Sequence, residues 1–266
     1  MKNKLVRFFQ LFVVMLALLS GNAPADTLDD IIRNGTVKVG VSLFTPWTMQ
    51  DASKQLSGFE IDVANKLAQD MGVKAKFSVY EWDQIIDALN NGEIDVIAGG
   101  MSITPARALK VNFSRPYADS GLSLIAHTAK TQNIDTLEKA NQPEVSFAVV
   151  EGTVSHELVS SLFNNATIKS YKTAEEASQA LIAGDVHALV ASSPQPELLA
   201  LAHPQLLDLP LDKPLVTYKS GLAVQKGQPE WLNFLDAWVT ARSADKWLSA
   251  THDHWFESLE WHKAEK

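Results

Sequence analysis

Two eight-residue stretches repeat one plan. Ala88-Leu89-Asn90-Asn91-Gly92-Glu93-Ile94-Asp95 and Ala180-Leu181-Ile182-Ala183-Gly184-Asp185-Val186-His187 each pass from the apolar end of a helix, through a glycine, into an apolar strand. A glycine in that place reads as a left-handed helix cap. Around the first stretch, Val37–Val41 reads as a strand and Ile61, Ala64, Leu67 and Ala68 as the apolar face of a helix stopped by Gly72. A strand near Lys76–Val79, a helix from Asp83 to Asn90 and a strand Asp95–Ala98 follow. Around the second, Val145–Val150 and Ile168–Tyr171 read as strands, and Ser155–Phe163 and Ala174–Ala183 as helices. A β-α-β-α-β order met twice predicts an α/β chain with mixed, mostly parallel sheets in two lobes of like construction.

Two further apolar runs, Gly121–Ala126 and Tyr218–Val224, lie between and after these units. They are expected to cross between the lobes, one outward and one back. That makes residues 26–122 with 220–266 the first lobe and 123–219 the second, with a hinged cleft between them. The chain contains no cysteine, which removes disulfides and thiolate chemistry, so stability must come from apolar burial. With 46% hydrophobic and 20% charged residues, the composition suits two cores of ordinary domain size.

At the N-terminus Lys2, Lys4 and Arg7 precede an apolar stretch from Leu11 to Leu19 and the small-residue sequence Ala23-Pro24-Ala25. This is the layout of a secretory signal peptide, predicting cleavage after Ala25 and export to the periplasm. The apolar stretch falls short of the roughly 20 residues of a spanning helix. Removing those three cations takes the formal charge from −8 to −11. So acidic a chain is not expected to bind nucleic acid.

In open α/β sheets ligands collect beyond the carboxyl ends of the strands. After Ala98 comes Gly99-Gly100-Met101-Ser102-Ile103-Thr104-Pro105-Ala106-Arg107, with two glycines for close backbone approach, two hydroxyls, and a capped helix start at Thr104-Pro105. Arg107, one turn on, can reach back to hold a carboxylate bidentately; alternatively it is a solvated arginine on a capped surface helix. Glu151-Gly152-Thr153-Val154-Ser155 offers a second anion-friendly turn. Phe44, Pro46 and Trp47 are candidates for one pocket wall and Trp82 for another.

Taken in order, these residues resemble the family 3 extracellular solute-binding proteins, the polar amino acid receptors of bacterial ABC importers. Gly58-Phe59-Glu60-Ile61-Asp62 is similar to the family's Gly-Phe-Asp-x-Asp, and Trp82, Ala88-Leu89 and Gly92 to its Trp-x-x-x-Ile-x-x-Leu-x-x-Gly segment. Asp95 through Arg107 is similar to its most specific signature, and Phe113-Ser114-Arg115-Pro116-Tyr117 to the usual sequel. The resemblance implies a type II periplasmic binding protein fold, a monomer that hands a small carboxylate-bearing ligand to an inner-membrane permease, and no cofactor or metal. It places Gly99, Gly100 and Ser102 in the cleft, Arg107 on the ligand carboxylate and the Gly152-Thr153 turn opposite, with Phe44, Trp47, Trp82, Val154, Ser155 and Ser192 completing the expected site.

Ser192 departs from the pattern, for the family carries an aspartate there that pairs with the ligand ammonium. Either Asp185, Glu151 or another acid replaces it, or the ligand is not an ordinary α-amino acid. The chain also resembles the secreted cyclohexadienyl dehydratases through His203-Pro204 and Trp255-Phe256-Glu257, making such an enzyme the alternative reading. Where those enzymes carry a catalytic glutamate this chain has Gln195, whose amide cannot act as a general acid or base. His252-Asp253-His254 is a weak metal motif, because histidines at i and i+2 diverge on a helix and face opposite ways on a strand.

Overall fold

A computed structural model describes residues 27–257; the expected signal peptide and the charged tail after Trp261 lie outside the described residues. The chain opens with helix α1 (Thr27–Asn34), strand β1 (Thr36–Val41), the short hairpin strands β2 (Met49–Gln50) and β3 (Leu56–Ser57), and α2 (Phe59–Met71). There follow β4 (Lys74–Val79), α3 (Ile85–Asn90), β5 (Val96–Ile97), α4 (Pro105–Ala108) and β6 (Asn112–Phe113). β7 (Ala118–His127) leads to α5 (Thr128–Thr131), α6 (Leu137–Ala140), β8 (Ser146–Val150), α7 (Val154–Leu162), β9 (Thr167–Tyr171), α8 (Ala174–Ile182), β10 (Ala188–Ser192), α9 (Gln195–Ala202) and β11 (Leu207–Asp208). β12 (Val216–Ser220) returns to β13 (Ala223–Val224), α10 (Pro229–Ala244), α11 (Trp247–His252) and a π-helical turn at Asp253–Glu257.

One sheet runs β4-β1-β5-β13-β6 and the other β11-β7-β10-β8-β9, with β12 also paired to β7. This is the expected mixed α/β architecture in two sheet-containing lobes. Parallel pairs β1–β4, β1–β5, β8–β9 and β8–β10 occupy one side of each sheet, out to the edge strands β4 and β9, and antiparallel strands complete the other side. β7 and β12 pair antiparallel from Ala118↔Ser220 to Leu122↔Val216. The expected boundary at 219/220 therefore falls within this ladder and that at 122/123 at its end.

Tyr218–Val224 was expected as one strand, but the chain breaks it at Gly221 and Leu222. There the Gly221 N–H donates to the Met101 carbonyl at 3.1 Å and the Leu222 N–H to Ser114 Oγ at 3.0 Å. These bonds lift the chain off β7 and deliver β13 to the first sheet.

Local chemistry explains the units. In α2 the predicted Ile61, Ala64, Leu67 and Ala68 are buried, and Gly72 ends the helix at φ 71° with its N–H bonded to the Gln69 carbonyl. Gly92 and Gly184 share φ near 74° and 75°, so the repeated sequence carries a repeated cap. α3 starts two residues later than expected, because Gln84 closes a turn onto the Glu81 carbonyl. β1 buries Val37, Val39 and Val41 against α2 and the C-terminal helix face of Trp231, Leu235 and Trp238. Burial of this kind contributes roughly 1.5–3 kcal/mol per large apolar side chain. The indole N–H of Trp231 reaches the Asp95 carbonyl and that of Trp238 the Asp70 carboxylate, both at 2.9 Å, so burying them strands no donor. The second lobe packs Phe147 on Phe163 on one side and Ala177, Leu181 and Leu189 on the other.

Candidate functional site

A cavity of about 270 Å³ opens beyond the carboxyl ends of β1, β5, β8 and β10, and residues of both lobes line it. All eleven residues expected from the sequence are on its wall: Phe44, Trp47, Trp82, Gly99, Gly100, Ser102, Arg107, Thr153, Val154, Ser155 and Ser192. Pro46 is not. It lies behind the wall, where its carbonyl accepts the Phe59 N–H. Sequence reasoning did not single out Ser42, Ser120, Lys172 or Glu175, which also line the cavity and carry no motif to betray them.

Arg107 is the buried cation of this site. Thr104 caps α4 by accepting the Arg107 N–H at 3.3 Å, and Pro105 opens the first turn. The guanidinium donates to the Ser102 carbonyl at 3.1 Å and the Gly152 carbonyl at 3.2 Å, and its central carbon sits 5.4 Å from the Trp82 ring centroid. The contact with Gly152 joins the β5 loop to the β8 loop across the cleft. Burial pulls the guanidinium pKa below its usual value, opposed by the charges of Glu157 and Tyr218. No ion pair of the described residues includes Arg107. A guanidinium has five N–H donors, so donors remain for an anion in the cavity.

The glycine turn beneath Arg107 is anchored from behind. Gly100 sits at φ +62°, and a Cβ there would meet the Trp47 ring at 2.8 Å, so a side chain is excluded both by conformation and by space. Its N–H donates to Glu60 Oε1 at 2.6 Å, and the same oxygen accepts the Tyr117 O–H at 2.6 Å. Glu60 is fully buried in α2. Burial pushes its carboxyl up to about 7, while the bonds from Tyr117 and Gly100 pull the other way. Burial, with the charge of Glu60, holds the Tyr117 phenol well above its ordinary value.

On the other wall Thr153 caps α7, accepting the His156 N–H while its hydroxyl donates to the Val150 carbonyl at 2.7 Å. Lys172, on the turn before α8, reaches Glu151 at 2.6 Å and crosses the cleft to Asp83 at 2.7 Å. The pairs are solvent-exposed, so water screens them and each contributes little. Lys172→Gln is therefore expected to speed ligand dissociation by about two- to fivefold in stopped-flow fluorescence. An unchanged rate would show that the bridge does not hold the lobes together.

Ser192 ends β10 half-buried in the cavity wall. Neither acid considered as a substitute for the missing aspartate lines the cavity: Asp185 is exposed and Glu151 is engaged by Lys172. The acids that do line it, Glu81 and Glu175, are exposed. Gln195 is also on the wall, with its amide donating to Ser178 Oγ at 2.9 Å. His252 stacks on Phe256 at 4.3 Å, and the described residues contain no cluster of three or more His, Cys, Asp or Glu placed to hold a metal ion.

Known proteins resemble this chain over most of its length. The chain is 25% identical over 256 residues to the L-cystine-binding protein TcyJ of Escherichia coli (strain K12), covering 92% of this chain and 93% of the relative. It is 22% identical over 246 residues to the cyclohexadienyl dehydratase of Pseudomonas aeruginosa, covering 92% and 91%. Among solved structures it matches an ancestral amino acid-binding protein, AncCDT-1, described as a precursor of cyclohexadienyl dehydratase, with TM-score 0.79 and 33% identity over 88% of this chain and all of that one. A model of the bacterial extracellular solute-binding proteins, family 3, matches residues 37–258. With that match spanning both sheets and the whole cleft, the chain belongs to the family 3 bacterial extracellular solute-binding proteins.

Proposed function

We propose that this protein is a periplasmic receptor that captures a small carboxylate-bearing solute, an amino acid or a relative of one, and hands it as a monomer to an ABC permease. The observation that carries the reading is Arg107: a buried cation with donors to spare, facing a cavity that both lobes line. Such a group is stabilised by a bound anion and fixes its orientation. The lobes are residues 26–122 with 220–266, and 123–219, and closing them sequesters the ligand. The amino acid-binding relatives support this reading.

Dehydratase chemistry is disfavoured, although one relative bears that name. It needs a proton donor held against the substrate, whereas Gln195 is an amide and the lining acids Glu81 and Glu175 are exposed to water. The test is a thermal-shift screen of the chain from Asp26 onward against amino acids, 2-oxo acids and prephenate. A carboxylate present at 100 times its Kd stabilises the fold by about 2.7 kcal/mol. No shift with any carboxylate, or product formed from prephenate, would sink the receptor reading. Export is tested by osmotic shock: the released protein is expected to begin at Asp26, and an intact chain held in the inner membrane contradicts it.

A further inference from the structure

We infer that the cleft selects carboxylates without an ammonium group, such as 2-oxo and 2-hydroxy acids, over the corresponding amino acids. The inference rests on the reading of the cavity as a carboxylate receptor and concerns what accompanies the carboxylate. Arg107 is the one buried ionisable residue among those lining the cavity. Lys172, the other lining cation, is exposed and already faces two carboxylates, Asp83 and Glu151. The interior of the site thus carries one buried positive charge that no ion pair of the described residues neutralises. A monoanion neutralises it.

An amino acid carries its own cation beside the carboxylate, so it brings no net charge to the site and adds an ammonium that must itself lose water. Apart from Glu81 and Glu175, the side chains of the wall that could receive it are neutral hydroxyls and an amide, those of Ser102, Ser120, Ser192 and Gln195 among them. Each can accept a hydrogen bond and none supplies a negative charge, and a buried cation without a counter-charge is strongly disfavoured. Glu81 and Glu175 are exposed, so any attraction they offer is weakened by water. The same hydroxyl and amide groups can donate to a keto oxygen, or donate to and accept from a hydroxyl, at no electrostatic cost. What distinguishes the site is therefore the neutrality of Ser192 at the carboxyl end of β10.

The experiment is calorimetric titration of the mature wild-type protein with matched pairs: L-leucine and 4-methyl-2-oxopentanoate, and L-phenylalanine, phenylpyruvate and phenyllactate. The deaminated member of at least one pair is expected to bind tenfold or more tightly than its amino acid. Ser192→Asp is expected to reverse that order. A preference smaller than tenfold, or one for the amino acid, overturns the inference and leaves the carboxylate reading standing. Binding of no carboxylate at all, by these pairs or by the wider screen, overturns both. The wild-type titration decides the matter even if the Ser192→Asp protein does not fold.

Discussion

Arg107→Lys is expected to weaken capture of the preferred carboxylate by about 1.5–3 kcal/mol, a loss of roughly tenfold to more than a hundredfold. The lysine keeps the charge. What it lacks is the planar fork that lets Arg107 hold the Ser102 and Gly152 carbonyls while presenting further N–H groups to the cavity. A lysine ammonium that met both carbonyls would keep one of its three donors for the ligand, enough for a single bond but not for a bidentate hold. The helix cap that positions the residue uses the backbone N–H and the Thr104 hydroxyl, so it survives the change. Calorimetric titration beside circular dichroism separates the effects: affinity falls while helix content is retained. Unchanged affinity would remove Arg107 from the binding site.

Much of this arrangement was legible because local rules and tertiary needs coincide. The α2 periodicity, the Gly72 stop, the matching caps at Gly92 and Gly184 and the Thr104-Pro105 helix start all follow from backbone chemistry that a sequence displays directly. The cleft residues were legible because glycines and hydroxyls followed apolar strands, and the resemblance fixed which of them to expect. The interruption at Gly221 was not, since it depends on partners at Met101 and Ser114 more than a hundred residues away. Lys172 was hidden for a similar reason: it is an ordinary surface lysine until the second lobe brings it to Asp83. The burial of Glu60 was not legible either. An acid in the first turn of an amphipathic helix reads as a solvated charge favourable to the helix dipole, yet here it is wholly enclosed.

That enclosure has a measurable consequence for stability. Glu60 titrates near 7 in the folded chain against an ordinary value of 4.5, chiefly because burial disfavours its charge. Between those values the folded state binds more protons than the unfolded one, so folding stability falls as pH rises. The favourable contribution is complete below about pH 4.5 and is lost by the time pH has passed about 7. Its size is about 3 kcal/mol, since each pKa unit is worth 1.36 kcal/mol. Other groups titrate over the same range, so the informative quantity is the difference between the wild type and Glu60→Gln. In that variant the side-chain oxygen can still accept from the Gly100 N–H and the Tyr117 O–H, and the proton is gone from the equilibrium. Urea unfolding at several pH values from 5 to 8 is expected to show the wild type losing stability relative to the variant as pH rises. Parallel curves would mean that Glu60 ionises at its ordinary pKa, and that water reaches the anchor behind the glycine turn.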